Sequence, residues 1–240
     1  MTGVIVQARM GSTRLPGKVL MEAAGKPLLH HLLERLSYCR LVDEVIVATT
    51  INKRDDVIEE LCRSLEIAVY RGSEDDVLDR YYQAAKAREM TCVVRVTSDC
   101  PLIDPELIDE KISIFLNKLG EYDLITNRHP LTYVDGLDFD LIPFEALEAV
   151  WRSAREPHQR EHVVPFFWES GMRVYNFEDS RKLFYSHRWT LDYIEDFELI
   201  KSIYSGLYKN GEKFTTNDIL EFLATRPELS KINAKYLPRQ

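Results

Sequence analysis

The sequence predicts an α/β fold, a mostly parallel sheet flanked by helices. Three observations lead there. Strand-like and helix-period segments alternate regularly over residues 3–127. The connections between them are too long for hairpins, so successive strands meet through helical crossovers, as in βαβ units. The opening run, Gly3–Ala8 (GVIVQA), is short and apolar, as suits a buried strand.

Taken in order, Gly3–Ala8 is followed by a basic, glycine-bearing loop, Arg9–Lys18. Pro27 stands at a helix-start position ahead of LLHHLLERL, whose apolar residues recur at helical spacing. Asp43–Thr50 (DEVIVATT) reads as a second strand. Arg54–Leu65 reads as a helix with Val57, Ile58, Leu61, Cys62 and Leu65 on one face. A short strand over Ile67–Tyr70 comes next. Ser73 is expected to cap a helix through EDDVLDRYYQAAKARE, whose acid-rich first turn suits the helix dipole. Cys92–Thr97 (CVVRVT) is the fourth strand, Asp104-Pro105 opens another helix, and Asp123–Thr126 is a further strand.

The second half is less regular. Tyr133–Ile142 alternates enough for a strand or hairpin arm. Helices are expected over Phe144–Ala154, Glu161–Glu169, Asp196–Leu207 and Thr216–Ala224, with strands at Met172–Phe177 and Trp189–Leu191. No internal repeat, low-complexity segment or linker stands out. Residues 1–240 therefore read as one domain, with about 128–190 contributing a small lobe.

Composition narrows the function. The chain has 240 residues, 45% of them hydrophobic, enough for one sizeable core. Its formal net charge of -8 is opposite to that of a generic nucleic-acid binder, and no nucleic-acid partner is expected. No window approaches the ~18 apolar residues of a membrane span, and no charged segment followed by an apolar one opens the chain. A cytoplasmic protein without a membrane partner is the expectation. Cys39, Cys62, Cys92 and Cys100 form no CxxC pair and no zinc spacing, so they read as free thiols in a reducing compartment.

The loop Gln7-Ala8-Arg9-Met10-Gly11-Ser12-Thr13-Arg14-Leu15-Pro16-Gly17-Lys18 gathers three cations and two glycines after a buried strand. Glycine lets backbone N–H groups approach an anion, and arginine can give a phosphate two parallel hydrogen bonds. This is not a P-loop. Five residues rather than four separate Gly11 from Gly17, and Val19 replaces the Ser/Thr that would hold magnesium. The alternative is a solvated surface loop with ordinary turn glycines.

Carboxylates supply the second signal. Asp99 follows the fourth strand directly, and ligands of such sheets bind beyond the carboxyl ends of the strands. Magnesium typically takes one or two carboxylates there. Asp135 and Asp138 flank Gly136, suited either to sugar hydroxyls or to an ordinary turn. Asp192 lies ahead of Glu195 and Asp196 and could equally cap a helix. Asp75, Asp76 and Asp79 read as helix-start acids, with Arg80 on the same helix a further candidate to face a nucleotide.

The chain carries the segments QARMGSTRLPGKVL, GSEDDVLDRY, RVTSDCPLID, DGLDFDL, REHVVPF and RWTLDYIEDFELI. Together they resemble the spore coat polysaccharide biosynthesis (SpsF-type) proteins, over nearly the whole chain. That group belongs with the cytidylyltransferases that activate 3-deoxy-manno-octulosonate and acylneuraminate. The resemblance implies a Rossmann-like nucleotidyltransferase fold with a sugar-side lobe. It implies transfer of CMP from CTP to a sugar, foremost a sugar acid, with release of pyrophosphate, and a homodimer. It assigns Mg2+ to Asp99 and Asp192, and catalysis to these two with Arg9, Arg14 and Lys18. The nucleotide would meet Gln7, Ala8, Arg9, Gly11, Ser12, Thr13, Arg14, Lys18 and Ser98. The sugar would meet Asp135, Asp138, Glu161, His162 and Arg188, with Arg188 as the cation for an acidic sugar.

Two positions depart from that family's pattern: Ser98, where relatives commonly carry Gly, and Ile194, where they often carry Pro. Neither removes a charge. Two other functions compete. A glycosyltransferase on a similar fold would use an Asp-x-Asp metal motif, and Asp138-Phe139-Asp140 has that spacing. A non-catalytic nucleotide-binding protein of the same pathway would lack metal-dependent nucleotide binding.

Overall fold

The computed structural model describes residues 1–238. In its first strand, β1 (Thr2–Gln7), Val4 and Val6 enter one hydrophobic cluster and Ile5 another. Successive side chains of a strand point to opposite faces, so a strand apolar at every position must be covered on both.

The chain continues through a small hairpin, β2 (Glu22–Ala23) and β3 (Lys26–Pro27), into α1 (Leu28–Leu36), β4 (Glu44–Thr50), α2 (Asp56–Ser64) and β5 (Ala68–Gly72). Next come α3 (Val77–Ala87), β6 (Cys92–Thr97), α4 (Pro105–Asn117), β7 (Leu124–Thr126) and β8 (Phe139–Pro143). The rest comprises α5 (Phe144–Ser153), α6 (Pro157–His162), α7 (Pro165–Glu169), β9 (Val174–Asn176), α8 (Ile194–Leu207) and α9 (Thr216–Ala224).

Seven strands form one sheet in the order β5-β4-β1-β6-β8-β7-β9. β1 pairs in parallel with β4 and β6, β4 with β5, and β7 with β9. Only β8 runs the other way, antiparallel to both β6 and β7. Every other strand of this sheet therefore ends at one edge, and β8 begins there. The register is direct: Gln7 lies opposite Thr97, and Val96 opposite Phe139.

α1, α2 and α4 cover one face with Leu29, Ile58, Ile108 and Ile112. α3, α5 and α7 cover the other with Leu78, Tyr81, Leu147 and Phe167. A third cluster joins α8 and α9 to Trp189 and Leu191, through Leu199, Ile203 and Ile219. Fully burying one such side chain contributes about 1.5–3 kcal/mol, so each layer is anchored independently. The third cluster carries the 189–192 segment to the functional edge of the sheet.

Local details differ from the sequence reading. Trp189–Leu191 forms no strand, because its N–H groups bond to single carbonyls on two separate loops. Of the 133–142 stretch only residues 139–142 are strand, as part of β8. The expected Glu161–Glu169 helix breaks into α6 and α7 at Val163, which has φ +69°. The cap of α3 is Asp76, whose carboxylate accepts from the Asp79 N–H at 2.9 Å; Ser73 instead accepts from Asp76 N. Residues 128–190, read as the sugar-side lobe, carry β8, α5, α6, α7 and β9, so much of the segment belongs to the main sheet and its faces. Among the described residues no helix is long and apolar enough to cross a membrane.

Candidate active site

The basic loop is built on buried anchors. Ala8 N extends the β1 ladder to Ala48 O at 3.2 Å, and Met10 N donates to Asp55 Oδ1 at 2.7 Å. Asp55 is fully buried and also accepts from the Thr50 hydroxyl. The loop closes when Gly17 N reaches Met10 O at 3.1 Å, with Gly17 at φ +72°, where a side chain would be strained. Lys18 then starts a short 3-10 turn pointing back at the sheet edge.

The Lys18 ammonium donates to Leu191 O at 2.6 Å and to Asp192 Oδ1 at 3.1 Å, and it lies 3.4 Å from Asp99 Oδ2. Arg14 reaches the same Asp192 oxygen at 2.9 Å. Arg9 sits 3.6 Å from Glu74, across the loop.

Asp99 leaves the end of β6 with its Oδ1 accepting from the Thr97 hydroxyl. Burial opposes its ionisation, but the Lys18 ammonium, the Thr97 hydroxyl and the Arg128 charge outweigh it and hold the carboxyl below its ordinary value. Its backbone carbonyl accepts from Leu191 N at 2.8 Å, and Asp135 O accepts from Trp189 N at 2.7 Å. These two bonds seat the 189–192 segment between the β6 and β8 loops. Gly136 makes that approach possible. It has φ +112°, and a Cβ there would lie 2.4 Å from Thr190 N.

Arg188 does not face open space. Its guanidinium bonds to Asp135, to Asp192 Oδ2 at 3.1 Å and to Asp196 Oδ1 at 3.3 Å. Asn233 donates to Asp196 Oδ1 at 2.8 Å and to Arg188 O at 2.9 Å. Three carboxylates take a hydrogen bond from each nitrogen of this guanidinium and more than offset its single charge, so Arg188 braces Asp192 where the sequence suggests a free cation. The N-terminal turn of α8 is held by Asp196, which accepts from Asp192 N and Tyr193 N, each at 3.0 Å. Asp192 Oδ1 is left to the loop cations, while Arg188 holds Oδ2.

A cavity of about 290 Å3 opens at this edge. Gln7, Ala8, Arg9, Ser12, Thr13, Arg14 and Lys18 form one wall. Ser98, Asp99 and Asp192 form a second, with Thr97. Glu161 and His162, on α6, line the rim beside Val77 and Arg80, because α6 packs against α3. Gly11 does not line the cavity, and a Cβ there would lie 2.6 Å from Arg54 Nη2. Asp135, Asp138 and Arg188 lie outside the cavity lining, toward β8. The residues expected together at a sugar therefore divide: Glu161 and His162 on the α3 side, Asp135 and Asp138 on the β8 side.

Arg80 is the lining residue whose environment the sequence conceals. It is 1% exposed, yet its Nε and Nη1 have no partner among the described residues. Burial lowers its pKa, and the Arg9 charge adds to that. Gly72 gives its stem room, since a Cβ at that position would lie 2.9 Å from Arg80 Cγ. Buried donors are rarely left unpaired in folded proteins, so this guanidinium is set up for an acceptor that enters the cavity. The cysteines take no such part: burial pushes the Cys62 and Cys92 thiols up to about 12.

A cation-rich glycine loop, a strand-end aspartate and a second aspartate brought to it from far along the chain line one cavity. A family model described as cytidylyltransferase matches residues 3–223. The chain is a member of the cytidylyltransferase family. It is thus a nucleotidyltransferase. It is 32% identical over 234 residues to the spore coat polysaccharide biosynthesis protein SpsF of Bacillus subtilis (strain 168), across 93% of this chain and 94% of that protein. Its structure is similar to that of a cytidylyltransferase from Leptospira borgpetersenii, with a TM-score of 0.90, 34% identity and 95% of each chain covered. A shorter match, 37% over 116 residues, links it to the 3-deoxy-manno-octulosonate cytidylyltransferase of Trichlorobacter lovleyi, covering 48% of this chain and 45% of that protein.

The cytidylyltransferase offers a divalent metal a sparse protein shell. Among the described residues no group of three or more His, Cys, Asp or Glu converges on one point. The pair Asp99 and Asp192 fits a hard, oxygen-seeking cation whose shell phosphate oxygens and waters complete, as magnesium prefers.

Proposed function

We propose that this cytidylyltransferase transfers CMP from CTP to a sugar acid in the cytoplasm, releasing pyrophosphate, in service of surface polysaccharide synthesis. The observation that carries this reading is the convergence of Asp99 and Asp192 on Lys18 at the mouth of the cavity. The sugar acid rests on the partial match to a 3-deoxy-manno-octulosonate enzyme, and the polysaccharide role on the SpsF match.

In this mechanism a sugar hydroxyl attacks the α-phosphorus of CTP. A P–O bond forms, the bond to the β-phosphate breaks, the electron pair leaves with pyrophosphate, and the hydroxyl proton is released to water. Charge grows on the departing oxygens, where Arg9, Arg14 and Lys18 donate hydrogen bonds. Asp99 and Asp192 would hold Mg2+, which when bound polarises phosphate oxygens and helps acidify the attacking hydroxyl. Arg80, with two unpaired donors, would take oxygen or nitrogen acceptors of the nucleotide. No covalent enzyme intermediate is required. Catalysis is positioning and electrostatics.

The glycosyltransferase alternative loses its metal motif. Asp140 is fully buried in the sheet, bonded to Arg95 at 2.9 Å and Thr126 at 2.6 Å, so Asp138-Phe139-Asp140 cannot offer both carboxylates to one ion. The test is pyrophosphate release from CTP and Mg2+ with a panel of sugar acids. Release with at least one acid, abolished in Asp99→Asn, supports the function; release without any sugar dependence, or none at all, overturns it.

A further inference from the structure

Past α9 the chain makes two 3-10 turns, Leu229–Lys231 and Ala234–Tyr236, and comes back to the start of α8, beside Asp192. Residues 224–238 lie outside the stretch that the family model matches. None of them lines the cavity.

The returning segment is fixed at several points. Asn233 is 2% exposed and spends its amide on two acceptors, Asp196 Oδ1 at 2.8 Å and Arg188 O at 2.9 Å. Lys235 Nζ donates to Glu195 Oε1 at 2.7 Å, and the Tyr236 hydroxyl donates to Glu195 Oε2 at 3.2 Å. The Tyr236 ring lies flat on the ring of Tyr193, with 4.0 Å between centroids and 6° between planes. Aromatic pairs in such contact attract each other beyond the area they bury.

Tyr193 follows Asp192 directly, and the Arg14 guanidinium rests against it. That guanidinium lies 5.3 Å from the centroid of the Tyr193 ring while it donates to Asp192 Oδ1 at 2.9 Å. Arg14 needs this support. Its side chain is 55% exposed, and an unrestrained arginine has many rotamers to lose. A single ion pair on an exposed side chain is a weak restraint. The tyrosine face is a second one, since a guanidinium within about 6 Å of a ring centroid is drawn to it. Tyr193 is itself only half-buried, so its ring has to be held in turn, and Tyr236 holds it. Cation, ring and ring thus connect the cation loop to residue 236.

We propose that Tyr236 is a positioning residue: stacked on Tyr193, it keeps the Arg14 guanidinium at the mouth of the cavity, in place for the outer phosphates of CTP. This rests on the role given to Arg14 in the transfer of CMP above. A guanidinium has five N–H donors, and Asp192 engages one of its nitrogens, so Arg14 retains donors for phosphate while it stays on the ring. Donors fixed before the ligand arrives cost no reorganisation when charge has to be met. The benefit falls on the β- and γ-phosphates alone, because Tyr236 acts only through Tyr193 and Arg14.

The test is calorimetric binding of CTP and of CMP, each with Mg2+, to the unsubstituted protein and to Tyr236→Ala, Tyr236→Phe, Arg14→Met and the Arg14→Met, Tyr236→Ala double variant. Tyr236→Ala should weaken CTP by about 2–12-fold, the range for one aromatic pair, and leave CMP, which lacks both outer phosphates, unchanged. Tyr236→Phe should keep the affinity for CTP, because the ring remains and only the hydroxyl contact with Glu195 goes. With Arg14 already replaced by methionine, Tyr236→Ala should cost no further affinity. Equal weakening of CMP, no weakening of CTP, a loss with phenylalanine as large as with alanine, or additive losses in the double variant would each overturn the positioning role while CMP transfer stood. If Arg14→Met bound CTP as tightly as the unsubstituted protein, or if the unsubstituted protein bound no CTP, the parent reading and the role of Tyr236 would fall together.

Discussion

Asp99 and Asp192 stand 93 positions apart in the sequence and share a single ammonium: Lys18 Nζ lies 3.4 Å from one carboxylate and 3.1 Å from the other. Two anions this close are stable only beside compensating positive charge. Lys18, Arg14 and Arg188 supply it, and the geometry suits a site that also receives a metal-bound triphosphate.

Asp192→Asn should cut pyrophosphate release by at least about 100-fold, the scale for removing one preorganised electrostatic group. Tm should fall only modestly, because Lys18 loses one half-buried partner but keeps Asp99, and Arg188 keeps Asp135 and Asp196. Arg14 is 55% exposed in its pair with Asp192, and surface pairs are worth about 0–1 kcal/mol. Parallel measurement of turnover and Tm checks this. A large Tm loss with modest loss of turnover would make Asp192 structural.

Gly136→Ala should damage both stability and activity. A non-glycine residue at φ +112° is strained by about 1–3 kcal/mol, and the new Cβ meets the backbone of Trp189 and Thr190. Urea unfolding reads the first effect. The second appears as a turnover loss larger than the unfolded fraction explains, because the same backbone seats Asp192.

Arg80→Met should move two observables in opposite directions. A buried guanidinium with unpaired nitrogens destabilises the ligand-free fold, so Tm should rise or hold. Affinity for CTP should fall by about 10-fold or more. If Tm and affinity fall together, Arg80 is a packing residue with no ligand.

Much of this was legible in advance. The strand-helix alternation gave the parallel sheet, and the spacing of Arg9, Arg14 and Lys18 after β1 marked the cation wall. What stayed hidden depends on long-range closure. Nothing local marks β8 as the strand that inserts antiparallel between β6 and β7, because its apolar run looks like any other. Arg188 looked like a substrate cation since charge is visible in sequence and its partners are not: Asp135 comes from the β8 loop, and Asp196 from the first turn of α8. The resemblance groups Glu161 and His162 with Asp135 and Asp138, but the packing of α6 on α3 puts the first pair in the cavity with the cation loop.

Stability should respond to pH through Asp138. Burial pushes its carboxyl up to about 7, with Asp135, Asp99 and Asp140 adding to the shift and Arg128 opposing it. A folded pKa above the unfolded value of about 4 means that the native state keeps a proton the unfolded chain releases. The contribution is complete below that lower value and is lost as pH rises toward 7. Asp138→Asn should therefore gain Tm relative to the unsubstituted protein between pH 5 and pH 8. Asp99, held below its ordinary value, works in the other sense and adds stability that falls away in acid. A Tm difference independent of pH would contradict the assignment to Asp138.

The most direct test of the central claim is calorimetric binding of CTP, UTP, GTP, ATP and a set of UDP- and GDP-sugars, each with and without Mg2+, to the unsubstituted protein and to Asp99→Asn. Preferential, Mg2+-dependent binding of CTP that Asp99→Asn abolishes is the predicted result. Tighter binding of a nucleoside diphosphate sugar, or CTP binding indifferent to both Mg2+ and Asp99, would contradict it.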